Sequence, residues 1–128
     1  MKKIIILGCL ALAGCGIFLA PFDNNEYSYL NQLYTFSEYY KSDCGNTSKT
    51  LNNFEQLSLI STTLVNYSQD LPNNSSTTDA VKTLDKIVQA SKQQINTGTH
   101  GKKFCELELE NIKHAAGTIK SAVATRGR

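Results

Sequence analysis

Hydrophobic positions recur at helical spacing through most of this chain, in four amphipathic segments separated by short polar breaks. Over Glu26 to Lys41, the residues Tyr29, Leu33, Phe36 and Tyr40 line one face of an α-helix. Asn24 or Asn25 is placed to cap its start, Asp23 and Glu26 suit the positive end of its dipole, and Cys44-Gly45-Asn46 ends it. A second helix is expected over Lys49 to Gln69, with Leu51, Phe54, Leu57, Ile60 or Ser61, Leu64 and Tyr67 on one side. Asp70 to Thr78 contains Pro72, Asn73, Asn74 and a Ser/Thr run, and reads as a loop too short to divide domains. A third helix begins near Asp79 behind Ser76 or Thr78 as cap, carries Ala80, Leu84, Ile87, Val88, Ser91 and Ile95, and stops in Asn96 to Gly101. The fourth, Lys102 to Thr125, presents Phe104, Leu107 or Glu108, Ile112, Ala115, Ala116, Ile119 and Val123, with Arg126 suited to the negative end of the dipole. The alternation Glu106-Leu107-Glu108-Leu109-Glu110 lies inside this longer pattern and is kept helical. Short connections favour antiparallel neighbours, so the expected fold is all-α, an up-down four-helix bundle.

Ahead of the first helix the pattern changes. Lys2 and Lys3 precede an uncharged, largely apolar run from Ile4 to Phe22, the arrangement of a secretory signal, which is set aside before fold reasoning. Within it, Leu12-Ala13-Gly14-Cys15 resembles the lipobox of bacterial lipoproteins. The resemblance implies that Cys15 is lipidated and becomes the first residue of the mature chain. It divides the sequence into a signal peptide over 1–14, a lipidated tether over 15–25 and a helical bundle over 26–128. Gly16 stands where an Asp would retain such a lipoprotein in the inner membrane, so the resemblance favours the outer membrane, facing the periplasm. Two other readings stay open: cleavage at the A-x-A-like Ala11-Leu12-Ala13, or an uncut span of about 28 Å from Ile4 to Phe22. All three place Asp23 onward outside the cytoplasm.

With Cys9 in the signal and Cys15 as the lipid site, Cys44 and Cys105 remain, and an even pair in an oxidising compartment reads as one disulfide. The bundle topology supports that pairing. Two helices intervene between the end of the first and the start of the fourth, so both cysteines fall at the same end, as the ~5–6 Å Cα separation of a disulfide requires.

The 128 residues suffice for one domain with a modest core. A net charge of +2 argues against a nucleic-acid binder. If Lys2 and Lys3 leave with the signal, 11 basic side chains face 11 acidic ones, and a neutral domain has little long-range electrostatic steering toward a partner. Reactive chemistry is sparse. No Cys/His ligand spacing or nucleophile elbow is present. Glu106, Glu110 and His114 share a ridge of the fourth helix, but Lys102 and Lys113 lie within pairing reach and a solvated face accounts for them. Gly98-Thr99-His100-Gly101-Lys102-Lys103 has the wrong glycine spacing for a phosphate loop and reads as a helix connection. The expectation is a protein that is not an enzyme, with no catalytic residues, no metal and no cofactor.

Aromatic residues are concentrated between Phe22 and Tyr40. Tyr27, Leu30 and Tyr34 form a second stripe about 120° from the first on the same helix, and tyrosine at a surface combines apolar area with a polar tip. This stripe is the expected partner-binding edge. The stretch Leu30-Asn31-Gln32-Leu33-Tyr34 through Tyr39-Tyr40-Lys41-Ser42-Asp43-Cys44-Gly45-Asn46 resembles the first helix of the small pilotins of type II secretion. The resemblance implies an outer-membrane lipoprotein, a four-helix bundle in which the Cys44 position pairs with a cysteine near the last helix, and a groove that docks a secretin segment. A periplasmic immunity, entry-exclusion or inhibitor lipoprotein that binds a toxin or hydrolase shares the same outline.

Overall fold

A computed structural model describes residues 20–127, so the proposed lipidation site Cys15 and the expected signal peptide over 1–14 lie outside the described residues. Four helices follow in order: α1 (Asn24–Tyr39), which runs on into a 3-10 turn over Tyr40–Asp43, then α2 (Thr47–Gln69), α3 (Ser75–Asn96) and α4 (Lys102–Ala124). They form an up-down bundle in which α1 packs most closely on α4 and α2 on α3, while α1 against α2 and α3 against α4 close the ring. Cys44 and Cys105 are joined by a disulfide at one end, with Cα atoms 5.7 Å apart.

Two helix starts have a side-chain cap, and three of the four starts differ from expectation. Asp23, rather than Asn24 or Asn25, caps α1, its Oδ1 accepting from the Asn25 and Glu26 amides at 2.9 Å. Asn46 caps α2 by accepting from the Lys49 amide at 3.0 Å, so α2 begins at Thr47, earlier than Lys49. The Ser/Thr run expected as loop is the first turn of α3, which begins at Ser75 rather than near Asp79. Serine and threonine are weak helix formers, but here Thr78 is buried and its hydroxyl donates to the Ser68 carbonyl at 3.0 Å, so tertiary contact outweighs propensity. Asn73 makes the preceding turn at φ 56, a left-handed conformation that asparagine tolerates.

Leu30 and Leu33 of α1, Phe54, Leu57 and Leu64 of α2, Val81, Leu84 and Val88 of α3, and Leu109, Ile112 and Ala116 of α4 fill the core. The α2–α3 seam is close because α2 presents small hydroxyl side chains there. Ser61 donates to Asp85 at 2.6 Å and Ser58 to Gln89 at 2.9 Å, so their polar atoms are satisfied across the seam.

Residues 20–25, expected within the tether over 15–25, lie against the bundle. Ala20 is buried and its amide donates to the Asn73 carbonyl at 3.1 Å, and the Phe22 amide donates to the Gly127 carbonyl at 2.9 Å. This strap lies between the α2–α3 turn and the C-terminus. Directly beneath it, the fully buried Glu26 pairs with Arg126 at 2.8 Å.

Candidate functional site

The sequence-predicted partner stripe lies along the α1–α4 seam, and the structure divides its members. Leu30 has no exposed surface and belongs to the core, so it cannot touch a partner. The reason lies in the α1 wheel, whose buried centre is Glu26, Leu30, Leu33 and Ser37. Tyr27 and Tyr34 flank that centre on the α4 side, and Tyr29, Phe36 and Tyr40 flank it on the other, all of them half-buried. The two stripes are thus the two shoulders of one buried face.

Tyr27 and Tyr34 retain exposed surface, beneath a lysine cover from α4. Lys120 Nζ sits 4.3 Å from the Tyr34 ring centre and 5.9 Å from that of Tyr27, and Lys113 Nζ lies 5.4 Å from Tyr34. A cation over an aromatic face is attracted by the ring's quadrupole, with about 0.5–1 kcal/mol at exposed sites. The Tyr34 ring also uses the missing side chain of Gly117. A Cβ there would stand 3.0 Å from Cε2 and 3.1 Å from Cδ2, too close without moving the ring. An open groove of about 430 Å³ adjoins this contact, lined by Tyr34, Glu110, Lys113, His114, Gly117 and Thr118, among others.

One turn toward the disulfide end, charges take over. Lys41 bridges Glu38, at 2.7 Å, and Glu110, while Lys113 reaches Glu38 at 3.1 Å. Hydrogen bonds from Lys41 and then Lys113 hold the Glu38 carboxyl below its ordinary 4.5, and Lys41 does the same for Glu110. The two carboxylates, Glu110 first, raise the Lys41 ammonium above 10.5. For the carboxylates, the stabilising contribution is present above their ordinary value and is lost as pH falls through the depressed one. For Lys41 it is present below its ordinary value and is lost as pH rises through the raised one. The network therefore acts from about pH 4.5 to 10.5. A Lys41→Met protein should melt slightly below wild type at pH 7, with the gap closing as both are taken toward pH 3. A pH-independent gap in thermal melts would show that Lys41 acts through its aliphatic stem instead.

The other sequence candidates are placed apart from any reactive cluster. Glu110, on the ridge with Glu106 and His114, is engaged by Lys41, and among the described residues no group of three His, Cys, Asp or Glu side chains is arranged to hold a metal. His100 stacks on Phe104 with ring centres 4.0 Å apart and shares a 2.9 Å hydrogen bond with Gln94. Beside them a small cavity of about 50 Å³ is lined by Cys44, Thr50, Leu51, Ile95, Gly98 and Cys105.

Sequence reasoning missed the buried polar cluster at the strap end. Glu26 Oε1 accepts from Arg126 Nη1, and Oε2 accepts from Ser68 Oγ at 2.7 Å and Asn74 Nδ2 at 2.8 Å. Arg126 Nη2 donates to Asn74 Oδ1 at 3.0 Å and to Thr77 Oγ1. Tyr67 donates its hydroxyl to the capping carboxylate of Asp23 at 2.8 Å. One signal was available: Glu26 stands four and seven residues before Leu30 and Leu33, a core position for a charged residue. Both carboxylate oxygens of Glu26 accept from donors within the fold, so the cluster is a structural clasp. In comparisons with protein-family models, curated proteins and solved structures, nothing matches this chain.

Proposed function

We propose that this chain is a lipid-anchored adaptor of the bacterial cell envelope, held to the outer membrane through Cys15, which binds one protein partner along the α1–α4 face. In its sharper form the reading is a pilotin that docks an amphipathic secretin segment and carries it to the outer membrane. The observation that carries it is the Cys44–Cys105 disulfide, because such bonds persist in oxidising compartments and are rare in the cytosol. The exposed edges of Tyr27 and Tyr34 suit the apolar side of an amphipathic helix, and the adjoining groove, lined by Glu110, Lys113, His114 and Thr118, suits its polar flank.

The test combines two variants in cells. Cys15→Ser should leave the domain folded but unattached, abolishing outer-membrane delivery of the partner. Tyr34→Ala should keep the membrane anchor and the fold, with a modest loss of thermal stability from its packing on Gly117, while weakening partner capture at least about tenfold, as for a central aromatic anchor. Unchanged capture by a stable Tyr34→Ala protein removes the face assignment. Full function of the unlipidated chain favours a soluble inhibitor or immunity protein instead.

A further inference from the structure

The strap fixes which end of the bundle can meet the membrane. Ala20 is buried, and its amide is bonded to Asn73 in the α2–α3 turn. Phe22 is bonded to Gly127, its ring lies 5.5 Å from that of Tyr27, and Asp23 caps α1. The chain is therefore gripped from residue 20 onward. Cys15 is five residues earlier, and five residues reach at most about 18 Å whatever their conformation. The disulfide end lies a full helix away, and the 23 residues of α4 alone span about 35 Å.

Resting on the lipid-anchor reading, we propose that the end formed by the strap, the Asp70–Asn74 turn and the C-terminus is a membrane-apposed surface. The bundle then stands with the Cys44–Cys105 end pointing away from the lipid. The turn suits a headgroup surface: Pro72 and Asn73 are exposed, Leu71 is half-buried, and Asp70 is the one charge between Gln69 and Ser75. A weakly charged turn meets little repulsion from an anionic leaflet. The α1–α4 face then rises from the membrane, Tyr27 nearer the lipid than Tyr34, and a partner helix lying in it is held upright.

The chain contains no tryptophan, so one introduced indole is a sole reporter. Pro72→Trp marks the strap end and Leu107→Trp, at a site 53% exposed, marks the disulfide end. Each lipidated protein is placed in phosphatidylethanolamine–phosphatidylglycerol vesicles containing headgroup spin-labelled lipid, with circular dichroism checking the fold. Pro72→Trp should lose about half its fluorescence and Leu107→Trp almost none, given the limited reach from Cys15. Equal quenching, or stronger quenching of Leu107→Trp, in chains that float with the vesicles and carry acyl groups on Cys15 overturns the orientation alone. Chains that fail to float, or that mass spectrometry finds unmodified at Cys15, overturn the lipid-anchor reading and the orientation with it.

Discussion

Replacing Arg126 with alanine is expected to destabilise the domain by about 3–5 kcal/mol, the usual result of leaving one member of a buried ion pair without its partner. The size follows from burial. Glu26 has no exposed side-chain surface and Arg126 only 6%, so water cannot replace the guanidinium. Ser68 and Asn74 still donate to Oε2, but Oε1 would lose its donor, and Asn74 and Thr77 would each lose theirs from Nη2. A small domain has about 5–15 kcal/mol in total, so this one change near the chain's end removes a large share. Chemical denaturation with the disulfide intact measures it. The double variant Glu26→Gln with Arg126→Met should recover much of the loss, since it leaves no unpaired buried charge. A loss under about 1 kcal/mol in Arg126→Ala would mean that solvent reaches Glu26.

That clasp also explains what could be read in advance. The four helices were legible because a buried, mostly apolar residue recurs every three to four positions, as through Phe54, Leu57, Ser61 and Leu64 of α2 or Val81, Leu84, Val88, Ser91 and Ile95 of α3. The disulfide followed from cysteine order and helix count, and the structure shows it. What failed was the face of α1. Its buried centre includes Glu26 and Ser37, polar residues that break an apolar pattern, so the tyrosines on either side looked like separate faces. Ser37 Oγ is buried with no hydrogen-bond partner among the described residues; its small side chain suits a crowded position between packed helices. Arg126 looked like a dipole partner for α4 because nothing local reveals a contact with a residue a hundred positions earlier.

Position in the fold also separates fully buried polar groups from half-exposed ones. At the strap end, Asp23, Glu26, Ser68, Asn74 and Arg126 satisfy one another, which leaves little for a ligand to add. Along the α1–α4 seam the tyrosines are half-exposed, and the lysines over their rings are themselves held, Lys113 by Glu38 at 3.1 Å and Lys120 by the Asn31 side-chain oxygen at 3.1 Å. On the proposed reading, a neutral domain would bring a partner no long-range attraction, and recognition would rest on contact area and on the proximity that the proposed lipid tether provides.

Cys44→Ser carries the second large expected effect, a loss of about 4 kcal/mol. The bond closes a loop with a sequence separation of 61, and in the chain-entropy model that constraint on the unfolded chain is worth about 4 kcal/mol. Local contacts at this end hold α1 to α2: Thr50 donates to the Asp43 carbonyl at 3.0 Å, and Asn53 donates to the Asp43 carboxylate at 2.8 Å. The disulfide instead links α1 to the first turn of α4, whose Gly101 cap supplies no side-chain bond. Its removal should therefore loosen α4 from Lys102 toward Leu109 before the rest of the bundle. Hydrogen exchange should show that segment opening first, while the strap end stays protected by its own clasp. Reduced wild-type protein and a Cys44→Ala, Cys105→Ala double variant should behave alike, with Tm lowered by roughly 15–30 °C for a domain of this size. A fall of only a few degrees, with uniform exchange along α4, would mean that helix packing alone defines this end of the bundle.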